Sequence, residues 1–258
     1  MTWRISKLGM LVAMICLNSN VLAQQPKFRV ETDVYVGANK EPAQQYLTLF
    51  SQGIYYDFSY DKPELITVID PARKQIAIFD SNRKMQLVDS MDRLTEIVER
   101  AKLEAPGTPL AVVIAASELV KVDRTTGKIV VGDATMRYEA TLQASGSPEM
   151  TRQYADFANW SARVNSVRPP YLPPYTRLSL NQAIADSGQL PNTIIRTSEI
   201  GGRIDEVSCK LIPGWRLSSD DEAKIANIGV MESTFKHVTE TEFFPQLQAR
   251  RQTTSVEK

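Results

Sequence analysis

The chain has 258 residues, of which 43% are hydrophobic and 23% charged, a balance that suits a packed globular protein and excludes extended disorder. Its 30 basic and 30 acidic side chains cancel, so there is no electrostatic footprint for nucleic acid or an anionic membrane surface. The two cysteines, Cys16 and Cys209, are too few for a disulfide framework.

Residues 1–23 read as a signal peptide. Arg4 and Lys7 make a positive start, Leu8 to Leu17 is almost wholly apolar, and Val21-Leu22-Ala23 supplies small residues for cleavage before Gln24. The apolar run is about half the roughly 20 residues a spanning helix needs, so no stable membrane anchor is expected after cleavage. Ala13-Met14-Ile15 lacks the small residue that would precede a lipidated cysteine at Cys16. The expected product is periplasmic or secreted by bacterial export. It carries 28 basic against 30 acidic side chains, a net charge of −2, with Cys209 its single thiol. Residues 24–248 are expected to form one α+β domain, and 249–258 a flexible C-terminal tail.

Phe28 to Val36 alternates strictly, with Phe28, Val30, Thr32, Val34 and Val36 on one face, which predicts a half-solvated strand ended by Gly37. Strands over Gln44 to Phe50 and Ile54 to Tyr60 follow, joined through Ser51-Gln52-Gly53. A ten-residue repeat comes next. Ile66-Thr67-Val68-Ile69-Asp70 and Ile76-Ala77-Ile78-Phe79-Asp80 are separated by Arg73-Lys74, and Met85-Gln86-Leu87-Val88-Asp89 follows Arg83-Lys84. This is a β-meander whose turn charges are expected to form a solvated rim. Strands apolar on both faces, such as Leu65 to Ile69 and Ile76 to Phe79, need cover on each side.

Ser90 is a candidate N-cap for a helix carrying Leu94, Ile97, Val98 and Ala101 inward. Thr108-Pro109 opens either a short buried helix over Leu110 to Ala116, the preferred reading, or a central strand. Glu118 to Gln143 returns to strands around a turn at Asp123 to Gly127. Ser147-Pro148 starts the clearest amphipathic helix, with Met150, Tyr154, Phe157, Trp160, Ser161, Val164 and Val167 as its inner stripe. Arg168 to Tyr175, with four prolines, should be extended, and a helix around Leu178 to Ala185 stops near Gly188. Asn192 to Ile200 and Ile204 to Ile212 predict a hairpin through Gly201-Gly202. Ser219 with Glu222 reads as a capping box for a helix through Ile228, and Phe235 to Gln248 as a further helix.

Few residues suggest chemistry. Cys209 shares a face with Val207 and Leu211, the setting of a buried thiol with a raised pKa, not of a nucleophile. One histidine, His237, and one cysteine do not make a usual zinc site, and no glycine loop cradles phosphate, so neither metal nor cofactor is expected. The stripe Ile54, Tyr56, Phe58 and Tyr60 either lines a pocket for an apolar ligand or fills a core, core being the simpler reading. The proline run Pro169 to Pro174 is a ligand for an aromatic groove or, more simply, a rigid connector. Asn159-Trp160-Ser161 fits a glycosylation acceptor but falls inside a helix.

The aromatic Tyr56-Asp57-Phe58 followed by Ile66 to Asp70 and Ile76 to Asp80, behind a signal peptide, resembles the LolA/LolB-like lipoprotein-carrier superfamily over residues 28 to 143. The start Phe28-Arg29-Val30-Glu31-Thr32-Asp33 is similar to secreted proteins of planctomycete-type bacteria. The carrier resemblance implies a curved antiparallel β-meander, an incomplete barrel covered by several helices, with lipid held in its concavity. The leading expectation is therefore an exported, soluble, non-enzymatic protein that binds a lipid or other apolar ligand, or an envelope protein partner. Tyr56, Phe58, Tyr60, Phe157 and Trp160 are the candidate ligand-binding residues. The alternatives are an envelope assembly module with a filled core, or an exported hydrolase built on acids such as Asp57 and Asp61 with His237.

Overall fold

A computed structural model describes residues 25–200 and 203–245. The expected signal peptide, the expected turn at Gly201-Gly202, the last part of the expected C-terminal helix and the expected tail lie outside these residues. The described chain is α+β. Twelve strands form one curved sheet, in the order β12-β6-β5-β4-β3-β2-β1-β11-β10-β9-β8-β7. Every pairing is antiparallel except β12 with β6, and the edges β12 and β7 do not meet, so the barrel is incomplete.

The first half is the meander: β1 (Phe28–Val36), β2 (Gln44–Ser51), β3 (Ile54–Ser59), β4 (Leu65–Asp70), β5 (Gln75–Asp80) and β6 (Met85–Ser90). Register settles which residues share a face. Phe28, Phe50, Tyr55, Ile69 and Ile76 lie in one cross-strand row on the inner face, the face that carries most helices. Leu49, Tyr56, Val68 and Ala77 make the matching row on the outer face. The ten-residue repeat is real, but its aspartates are not a solvated rim. Asp70 and Asp80 are buried and accept the backbone N–H of Arg73 and Arg83, closing each turn from within. Burial alone would raise the Asp80 carboxyl, but the Arg83 amide and guanidinium hold it below the ordinary range.

Helix α1 (Met91–Glu104) starts on the Ser90 cap, and α2 (Pro109–Ala116) is a helix with Pro109 in its first turn. Strands β7 (Val120–Asp123), β8 (Lys128–Gly132) and β9 (Met136–Gln143) then lead to α3 (Pro148–Val167), capped by Ser147. Helix α4 (Tyr175–Ser187) ends at Gly188, whose φ of 67° is the left-handed conformation that closes a helix. The long strands β10 (Leu190–Ile200) and β11 (Arg203–Gly214) return to pair with β9 and β1. Among the described residues no helix is long and apolar enough to cross a membrane.

Three expectations are corrected. The deepest face of α3 is Thr151, Tyr154, Ala155, Ala158 and Ala162, because α1 and α4 pack closely there and small residues allow the approach; Phe157 and Val164 are turned to its flank. The capping box of α5 (Ser219–Thr234) is Ser218 with Asp221, one residue earlier than the Ser219–Glu222 pattern suggests. Asp221 is chosen because it is buried and also receives two bonds from Arg29 on β1, at 3.0 and 3.1 Å. No helix starts at Phe235. The Gln86 amide donates to the carbonyls of Glu232 and Phe235, and the chain then runs beside β6 as β12 (Lys236–His237) before a short α6 (Glu240–Phe243).

Candidate functional site

Between the inner face of the sheet and α3 lies a cavity of about 660 Å³. Its floor comes from strands on both sides of β1, because β11 returns from the far end of the chain to pair with β1 and joins the two halves of the sheet. On this floor Thr32 and Val34 of β1, Thr48 of β2 and Asp57 of β3 meet Ile194 of β10 and Cys209 and Leu211 of β11. The roof is α3, through Tyr154, Phe157, Ser161 and Val164, together with the proline connector and Arg177 of α4. The cavity reaches solvent at its rim, where Val36 is exposed.

The connector is neither simply extended nor a free ligand segment. It turns at Arg168–Tyr171, where the Tyr171 N–H donates to the Arg168 carbonyl, and Leu172 donates back to Asn165 of α3. Its prolines and Leu172 form one wall of the cavity. Arg168 holds the start of this wall. It is buried, donates to Asp89 at 3.0 Å, lies 3.5 Å from Glu240 and stacks over Phe244. Burial lowers its pKa, and Asp89 and Glu240 act against that; Asp89 is also held by Arg93. The far end is held by Tyr175, whose hydroxyl donates to the Val98 carbonyl of α1 at 2.8 Å.

Charged and polar groups sit at two separate places in the cavity. Asp57, in the middle of an apolar strand, accepts the Thr48 hydroxyl at 2.8 Å, and burial pushes its carboxyl up to about 6. Toward β9 and β10, Arg177, Arg196, Tyr138 and Tyr154 gather around Cys209. Burial raises the Cys209 thiol pKa while the two arginines act in the opposite direction. Arg196 is paired with Asp205 at 2.7 Å. Arg177 donates to the Tyr154 hydroxyl at 3.4 Å and lies over the Tyr138 ring.

The sequence candidates divide between the two faces. Phe157 lines the cavity and packs edge-on to Phe50 and Tyr55. Trp160, on the same helix, does not line it; the ring stacks with Arg163 and packs against the core. Tyr56 and Phe58 belong to the outer-face core beneath α5, and Tyr60 is 50% exposed beyond the end of β3. The hydrolase set is not assembled: Asp57 lies in the cavity, Asp61 accepts the Gln45 backbone N–H, and His237 is exposed on the edge strand β12. Asn159 in the glycosylation-like triplet accepts from Asn181 between two helices. Thr48 and Arg177 were not singled out from sequence, whereas Asp57 was named as an acid of the hydrolase alternative and the proline run as a groove ligand or connector. No family model matches the chain, and no curated protein matches it.

Proposed function

We propose that this is an exported, non-enzymatic protein that binds a lipid or other apolar ligand between the inner face of its incomplete barrel and helix α3. The observation that carries the reading is the cavity itself. Its size of about 660 Å³ falls within the roughly 300–1,000 Å³ usual for ligand pockets. Val34, Leu211, Ile194, Phe157 and Val164 give it aliphatic and aromatic walls, among which polar groups such as Thr48, Asp57, Asn165 and Arg177 are set, the mixed but mainly apolar lining of a ligand site. Export is supported by the leader at residues 1–23, and the carrier-like fold by the register of the meander. An assembly module needs no such space beneath its helices.

The test is titration of protein recovered from a bacterial periplasm with N-phenyl-1-naphthylamine, a neutral dye that fluoresces in apolar surroundings. Saturable binding at one dye per chain is expected, and Val34→Trp, which fills the floor, should abolish it. Absence of saturable binding, or binding unaffected by Val34→Trp, would overturn the assignment.

A further inference from the structure

We propose that the Arg177 end of the cavity receives the anionic head, a carboxylate or phosphate, of a single-chain amphiphile whose tail lies along the apolar floor. This deepens the reading above and rests on it. Two guanidinium groups, Arg177 and Arg196, and two tyrosines, Tyr138 and Tyr154, converge there from α4, β10, β9 and α3. Among the described residues only Asp205 answers them, through Arg196 at 2.7 Å. Arg177 is half-buried, and among the described residues no carboxylate lies within ion-pair distance of it. A guanidinium keeps its charge at any physiological pH, and one placed against an apolar space without a counter-ion is costly unless an anion meets it. Its planar fork matches the two oxygens of a carboxylate or phosphate.

The remaining wall fixes which way the ligand lies. Phe157, Val164, Leu172, Ile194 and Leu211 offer an apolar path away from the arginines. Among the described residues the one carboxylate lining the cavity, Asp57, stands on β3, five strand positions from Tyr138 on β9. It is bonded to the Thr48 hydroxyl and makes no ion pair with Arg177, and it disfavours an anion at its own end. The head therefore belongs with Arg177, and the tail runs toward β3.

The experiment is displacement of bound N-phenyl-1-naphthylamine at about pH 8, where a carboxylic acid is ionised, by dodecanoate, dodecyl phosphate, dodecanol, dodecylammonium and inorganic phosphate. Dodecanoate and dodecyl phosphate are expected to compete about tenfold more tightly than dodecanol, and inorganic phosphate to displace nothing. Arg177→Gln should remove the difference between dodecanoate and dodecanol, and Arg177→Lys, which keeps the charge but loses the fork, should reduce it. Equal competition by dodecanol, or preference for dodecylammonium, overturns the head-group assignment while leaving the apolar site standing. Block of dodecyl phosphate by inorganic phosphate at equal concentration makes this a free-anion site and also overturns the proposal. Failure of the dye itself to bind removes the cavity reading and this one with it.

Discussion

The two faces of one sheet, built from alternate residues of the same strands, have opposite fates. On the outer face Leu47, Leu49, Tyr56, Val68 and Phe79 are closed over by Ile228 and Met231 of α5 into a dense core. On the inner face their neighbours Thr48, Asp57 and Thr67 look into an open cavity. The difference lies in how each helix is held. Helix α5 is clamped at its start by Arg29 to Asp221 and at its end by the Gln86 amide, so it sits directly on the strands. Helix α3 is stacked on α4 and α1 through its small residues, and the proline connector holds the ends of α3 and α4 off part of the floor. Both faces cover their apolar strands with packed cores, but the inner one leaves part of its space unfilled beside that core.

The comparison breaks most sharply if truncation costs the same on both faces. Phe79→Ala on the outer face, where the ring is fully buried, should destabilise by about 4 kcal/mol. Val34→Ala on the cavity floor should cost under about 1 kcal/mol, since its methyl groups already face open space. Paired urea denaturation curves check this, and equal losses would mean that the inner face is packed in solution.

A smaller effect tests what holds the cavity open. Arg168→Met leaves Asp89 with Arg93 alone, and a loss of about 2 kcal/mol is expected, below the full cost of breaking a buried pair. The amides of Tyr171 and Leu172, bonded to Arg168 and Asn165, should exchange faster in this variant. Unchanged exchange at those two amides would show that the connector is held by α3 and α4 without the arginine.

The smallest effect has the opposite sign. Asp57 has its carboxyl raised to about 6 by burial, against about 4 in the unfolded chain. Between these values the folded state binds more protons, so this group's penalty is absent below about pH 4 and complete above pH 6. A two-unit shift is worth about 2.7 kcal/mol, but Asp57 keeps part of its surface in contact with solvent, so acidification from neutral pH should relieve the folded protein of on the order of 1 kcal/mol through this residue. Asp57→Asn should therefore raise the melting temperature slightly at pH 7 and lose that part of the pH dependence. A lower melting temperature for Asp57→Asn at pH 7 would instead make the ionised carboxylate a stabilising partner on this face.

Much of the fold was legible because its determinants are local. The alternation in Phe28 to Val36, the Asp-to-Arg turn repeat, Ser90 and Ser147 as caps and Gly188 as a stop each act within a few residues. The errors arose where a distant residue intervened. Asp221, not Glu222, completes the capping box because Arg29, 192 positions earlier, reaches it. Phe235 leaves the helix because Gln86 takes the last carbonyls. The candidate site was half legible: Phe157 was found on the amphipathic helix, whereas Tyr56 and Phe58, ligand candidates whose simpler reading was core, do lie in the filled core. The sequence alone determined the strands, their two-sided apolar character and the helices available to cover them. Only the tertiary structure decided that the inner face keeps a cavity beside its packed core while the outer face keeps none of that size. Side-chain direction along a strand is set by the backbone pleat, but what stands opposite each face depends on contacts between segments far apart in the chain.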